Sequence, residues 1–204
     1  MAETIRTFIA LELPRSVRAQ IERIQQGLLH QGLKARWVKP DNVHLTLHFF
    51  GEISADRIEP IRDAMGEAAA CGPFRLEARG LGVFPGLRRA RVIWSGVGGD
   101  IESLKHLQRR LTEALARAGF PIERRVFKAH LTLGRFKTPP DPKRLAGALG
   151  LLHAASPAPF QVPHLALFES RLTPAGAVYR KHYEIPLEGG PQRPKPAPVN
   201  GRTR

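Results

Sequence analysis

His44-Leu45-Thr46-Leu47-His48-Phe49-Phe50 and His130-Leu131-Thr132-Leu133-Gly134-Arg135-Phe136 are two versions of one phrase. They agree at the first four positions and the last, and an aromatic, Trp37 or Phe127, precedes each. The second copy begins 86 residues after the first, 130 less 44, about half of the chain outside its Pro-rich end. A repeat at that spacing predicts two similar lobes related by an approximate twofold axis. Within each copy the side chains of a strand alternate faces. His44 and Thr46 therefore point one way and Leu45 and Leu47 the other, and the same holds for His130 and Thr132 against Leu131 and Leu133. Each strand is expected to bury two leucines in its lobe and to offer an imidazole and a hydroxyl on the opposite face.

The surrounding pattern supplies the lobes. Thr4 to Leu13 alternates as a strand, and Pro14 opens a helix carrying Val17, Ile21, Ile24 and Leu28 at helical spacing up to Gly32. Ala35 to Lys39 reads as a short strand and Pro40-Asp41-Asn42 as a turn. Ser54 is placed to cap a helix bearing Ile58, Ile61 and Met65. Phe74 to Val83 and Arg91 to Val97 read as strands joined through Pro85-Gly86. Asp100 caps a longer helix with Leu104, Leu107, Leu111 and Leu115. Val126 to Phe136 is a strand, Asp141-Pro142 starts a short helix, and Phe160 to Glu169 with Val178 to Ile185 form a closing hairpin-like pair. Several strands follow one another across short turns, which predicts an α+β fold: two lobes, each a mainly antiparallel sheet flanked by helices, around a central cleft.

If the twofold brings the polar faces together, two histidines and two threonines share that cleft. An imidazole titrates near pH 6.5, so one of two can be neutral while the other is protonated. The neutral ring takes a proton from water and the charged one protonates a departing ribose oxygen, each transfer worth roughly 10²–10⁴ in rate. Threonine hydroxyls donate to phosphoryl oxygens as their charge grows. The scheme calls for no metal and no cofactor. A single His-x-Thr on a strand is ordinarily structural; the duplicate at lobe spacing carries the functional reading.

Composition bounds the partners. The net charge is +14, of which residues 189–204 supply +4 through Arg193, Lys195, Arg202 and Arg204 without an acid, leaving +10 on the body. Such a surface favours a polyanion such as RNA. No apolar run approaches a membrane span. The acid in Met-Ala-Glu-Thr-Ile-Arg argues against a signal peptide, so a cytoplasmic protein is expected; a monomer is the default expectation, with nothing in the sequence that sets the oligomeric state. Cys71, the sole cysteine, reads as a small buried thiol. Residues 1–188 are expected to form one bilobal domain and 189–204 a flexible basic tail, too rich in proline and polar residues to bury a core.

Two His-x-Thr motifs in tandem lobes resemble the two-histidine phosphoesterases, and within them the bacterial and archaeal RNA 2′,3′-cyclic phosphodiesterases, also called 2′-5′ RNA ligases. The likeness covers nearly the whole chain before the tail. It includes Arg6-Thr7-Phe8-Ile9-Ala10-Leu11-Glu12-Leu13-Pro14, Trp37-Val38-Lys39-Pro40, Thr46 through Gly51-Glu52, and Glu169-Ser170-Arg171-Leu172 with Gly176 and Tyr179. The resemblance implies opening of an RNA 2′,3′-cyclic phosphate to a 2′-phosphomonoester, with His44 as proton donor to the leaving 3′ oxygen and His130 as the base on water. It implies reverse 2′-5′ joining if a 5′-hydroxyl replaces water. Two rivals stand beside this: a related two-histidine enzyme for another small cyclic phosphate or 2′-5′-linked oligonucleotide, and a non-catalytic RNA-end-binding protein.

Arg135 is a phosphate-binding candidate alongside Thr46 and Thr132. Its odd offset from His130 would point it away unless a bulge near Gly134 re-aims it. His48 shares parity with His44 and reads equally as a cleft residue or as a structural one. Phe50, Phe136 and Tyr179 are candidate base-stacking partners, the two phenylalanines reading better as core. His30, His106, His153, His164 and His182 lack motif context and read as surface residues. The Lys105, Arg109, Arg110 and Arg117 stripe reads as a solvated helix face, and Gly96-Val97-Gly98-Gly99 lacks the spacing of a phosphate loop.

Overall fold

The computed structural model describes residues 4–123, 125–153, 157–174 and 176–189. The expected tail, from residue 190 onward, lies outside the described residues, as does the side chain of His153. The strands are β1 (Thr4–Glu12), β2 (Arg36–Trp37), β3 (His44–Ser54), β4 (Phe74–Phe84), β5 (Val92–Gly99), β6 (His130–Arg135), β7 (Ala158–Val162), β8 (His164–Thr173) and β9 (Gly176–Pro186). The helices are α1 (Arg15–His30), α2 (Ile58–Ala68), α3 (Ile101–Arg117) and α4 (Pro142–His153). One sheet runs β3-β1-β8-β9 and the other β2-β6-β5-β4-β7, every pair antiparallel. The α+β fold with two sheets and flanking helices is therefore present.

The lobes are not the two halves of the chain. β2, from the first half, adds an edge to the second sheet, and the last two strands return to the first sheet beside β1. Phe160 to Glu169, which reads as one strand, is cut at Pro163. The segment before it pairs with β4, and the segment after it pairs with β1 and β9. Proline has no N–H to extend a ladder, so the chain changes sheets there. β6 begins only at His130, four residues later than the alternation from Val126 implies. Ser54 does not cap α2: it still belongs to β3, opposite Thr4, and a 3₁₀ turn at Ala55–Arg57 intervenes. Asp100 does cap α3, accepting from the Ser103 amide at 3.1 Å.

One continuous core joins both sheets to the helices. It contains Leu45, Leu47, Leu131 and Leu133, each 5% exposed or less. At roughly 1.5–3 kcal/mol per buried leucine, these four hold the motif strands against the helices. Both motif strands carry a β-bulge at the same place in the phrase. Ala10 opposes Thr46 and Ile9 opposes His48, which leaves Leu47 as the extra residue. Trp94 opposes Thr132 and Ile93 opposes Gly134, which leaves Leu133.

Candidate active site

The bulges set which side chains reach the cleft. Alternation delivers His44 and Thr46 to one face of β3. The extra residue at Leu47 reverses parity, so His48 turns into the core, 8% exposed, against the Phe50 ring. The expectation that His48 lines the cleft is corrected by that bulge, and Phe49 takes its place at the rim, 50% exposed. On β6 the same event brings Arg135 round to the side of Thr132, where both line the cleft with His44 and Thr46. Phe49 and Arg135 thus occupy equivalent positions in the two copies. The Arg6 guanidinium lies 4.5 Å from the centre of the Phe49 ring, a cation–π contact at the cleft mouth. Sequence reading missed both Phe49 and Arg6; the signal was present only as the shared offset of Phe49 and Arg135. Phe136 is core, Phe50 packs on the core, and Tyr179 lines the cleft beside His44.

The two imidazoles are held in the same way. His44 Nδ1 bonds the carbonyl of Asn42 at 2.8 Å, and His130 Nδ1 bonds that of Lys128 at 2.7 Å, each two residues upstream. A carbonyl can only accept, so Nδ1 carries a hydrogen in both rings and Nε2 is the atom left to exchange a proton. Their surroundings differ. His44 stacks on Phe8 at 4.6 Å with Tyr179 edge-on, whereas His130 meets Phe84 edge-on at 5.1 Å. Burial pushes His44 down to about 4; the Asn42 carbonyl opposes this, and the charge of His130 across the cleft adds to it. In the free protein His44 is therefore neutral near pH 7. Asn42 also donates its side-chain amide to the Ala177 carbonyl at 2.7 Å, tying the β8–β9 hairpin to the turn that holds His44.

Gln25, another residue the sequence pattern did not mark, is 5% exposed on α1. Its amide donates to the carbonyls of Val38 at 2.7 Å and Leu133 at 2.9 Å, so the bulge on β6 is pinned to the residue that follows β2 and to a helix.

The other candidates resolve by their partners. His164 and His182, read as ordinary surface positions, face the carboxylates of Glu12 on β1 and Glu169 on β8 at 3.1 and 3.0 Å. Glu12, His164 and Glu184 converge closely enough to hold a cation, but the Lys181 ammonium already bonds both carboxylates. The helix stripe is engaged locally: Lys105 with Glu102, Arg109 with His106, Arg110 with the Glu67 carbonyl and Arg117 with the Glu67 carboxylate. Gly96 and Gly98 admit the close approach of β4, where a Cβ would meet the Arg79 carbonyl oxygen at 2.7 Å or the Arg79 side chain at 2.4 Å. The Cys71 thiol is half-buried and pushed up by burial. No helix among the described residues is long and apolar enough to cross a membrane.

The family model described as LigT-like phosphoesterase matches residues 11–94 and 99–179, so it spans both motif strands. The chain belongs to the LigT-like phosphoesterase family. Among LigT-like relatives, the RNA 2′,3′-cyclic phosphodiesterase of Methanothermobacter thermautotrophicus is 35% identical over 176 residues, 86% of this chain and 95% of that one. The RNA 2′,3′-cyclic phosphodiesterase of Thermotoga maritima is 33% identical over 188 residues, 91% of this chain and 97% of its own. The crystal structure of TT0787 of Thermus thermophilus superposes with a TM-score of 0.71 at 29% identity, covering 91% of this chain and 99% of that one. Escherichia coli LigT complexed with 3′-AMP superposes at 0.70 with 26% identity and the same coverage. The LigT-like architecture is thus shared across the length that carries both His-x-Thr strands.

Proposed function

We propose that the protein opens 2′,3′-cyclic phosphate ends of RNA to 2′-phosphomonoesters by acid–base catalysis through His44 and His130. The observation that carries this reading is the matched pair of Nδ1-to-carbonyl hydrogen bonds, which leaves Nε2 of each ring as the atom able to exchange a proton. Relatives named for this activity, aligned over most of the chain, support the substrate class.

In this mechanism His130 Nε2 takes a proton from water as its oxygen bonds to phosphorus. His44 Nε2 gives a proton to O3′ as the P–O3′ bond breaks, and the P–O2′ bond stays. The donor ring starts neutral in the free protein, so the anionic cyclic phosphate supplies the charge that draws a proton onto it. Thr46 and Thr132 hydroxyls and the Arg135 guanidinium stabilise the phosphoryl oxygens. Phe49, exposed and backed by Arg6, offers a flat face to the terminal base. If a 5′-hydroxyl replaces water, the same steps join ends through a 2′-5′ linkage. Residues 1–188 act as one catalytic unit in this reading.

Incubation with a 2′,3′-cyclic mononucleotide and a cyclic-ended oligonucleotide, with chelator present, tests it. A 2′-phosphomonoester with a free 3′-hydroxyl is expected from both. Intact substrates after long exposure would leave only an RNA-end-binding role, and turnover abolished by chelator would defeat the metal-free scheme.

A further inference from the structure

The in-line course of the reaction places the nucleophile on the side of phosphorus opposite the leaving oxygen. With His44 serving the leaving oxygen, whatever carries the nucleophile approaches from the His130 side of phosphorus. That side is not bare protein. Phe84 meets the His130 ring edge-on at 5.1 Å and lies 5.0 Å from Trp94, and Trp94 in turn is 6.4 Å from His130. The indole lies flat across Gly82, where a Cβ would meet it at 2.3 Å, so the wall is built on a position that only glycine serves. His130, Phe84 and Trp94 all stand outside the part of the cleft lined by His44, Thr46 and Arg135.

We propose that the Phe84–Trp94 wall, with Lys128, is a subsite for a second RNA strand whose 5′-hydroxyl takes the place of water at His130. The proposal rests on the cyclic-phosphate reading above. A nucleotide has a flat base for an aromatic wall and a phosphate charge for a cation. Lys128 Nζ stands 5.9 Å from the Phe84 ring centre, and Arg88 and Arg89 are exposed on the turn just beyond. Residues 80–99 contain no Asp or Glu, so nothing in that segment repels an entering phosphate. The acceptor O5′–H gives its proton to His130 Nε2 as O5′ bonds to phosphorus. The P–O3′ bond breaks and O3′ takes the proton from His44, leaving a 2′-5′ phosphodiester and a free 3′-hydroxyl. Donor and acceptor are the only reactants, and solvent resets the two rings.

The test uses a cyclic-ended oligonucleotide donor and a 5′-hydroxyl RNA acceptor with chelator, and reads the ratio of joined to hydrolysed product against acceptor concentration. That ratio cancels any general slowing of chemistry. It is expected to saturate with acceptor, and Phe84→Leu and Lys128→Gln are each expected to lower it about five-fold or more. A ratio that never saturates, or one that neither variant changes, overturns the subsite while leaving hydrolysis standing. A donor that stays intact overturns the cyclic-phosphate reading and the subsite together.

Discussion

The side-chain amide of Gln25 donates to the carbonyl oxygen of Leu133, 108 residues further along the chain, at 2.9 Å. Leu133 is the bulged residue that brings Arg135 to the same side as Thr132, so a buried amide on a helix sets the aim of a cleft-lining guanidinium.

Replacing Gln25 with leucine keeps the volume and removes both donations. The Val38 carbonyl loses that donor, while the Leu133 carbonyl keeps the Val38 amide. A loss of about 1–3 kcal/mol is expected for an unsatisfied buried group, read by denaturant unfolding, together with reduced turnover. Unchanged stability and rate would show that the bulge holds without the amide.

His44→Ala and His130→Ala should each lower the rate of cyclic-phosphate opening by roughly 10²–10⁴. RNA-end binding should persist, because Arg135 and the threonines remain. A His130→Ala protein that turns over at the original rate would remove that ring from the mechanism.

The depressed titration of His44 has a signed consequence. The unfolded chain takes up this proton near pH 6.5, while the folded protein resists it down to about 4. The contribution of this ring to stability is therefore present above about 6.5 and is lost as pH falls towards 4. Proton NMR of the imidazole should show a midpoint near 4 in the free protein, moving upward when inorganic phosphate binds beside it. A midpoint that stays put with phosphate bound would contradict the substrate-assisted protonation of the donor.

Phe49→Ala should raise KM for a cyclic-ended oligonucleotide by about five-fold or more, with a smaller effect on kcat, since base stacking is worth roughly 1–3 kcal/mol. Steady-state kinetics on matched purine and pyrimidine ends would check this. An unchanged KM would place the base elsewhere.

Much of the fold was legible from local chemistry. The leucine alternation of the motif strands, the Asp100 cap and the helical spacing of Val17, Ile21, Ile24 and Leu28 each appear as read, because each depends on near neighbours or on which face is apolar. The readings that failed depend on partners distant in sequence. Pro163 divides what looks like one strand because the two pieces pair with different sheets. The parity argument misplaced His48 because a bulge is a property of a strand pair, and no spacing within one strand reveals it.

By itself, the sequence determined which groups share a strand face: an imidazole and a hydroxyl on each of two strands whose other face is leucine. Only the tertiary structure decided that Asn42 and Lys128 carbonyls hold the rings, that Phe49 and Arg135 complete the cleft, and that Gln25 braces β6. Alternation along a strand is built into backbone geometry, but a bulge, a sheet change and a long-range amide bond exist only once two segments remote in sequence pack together.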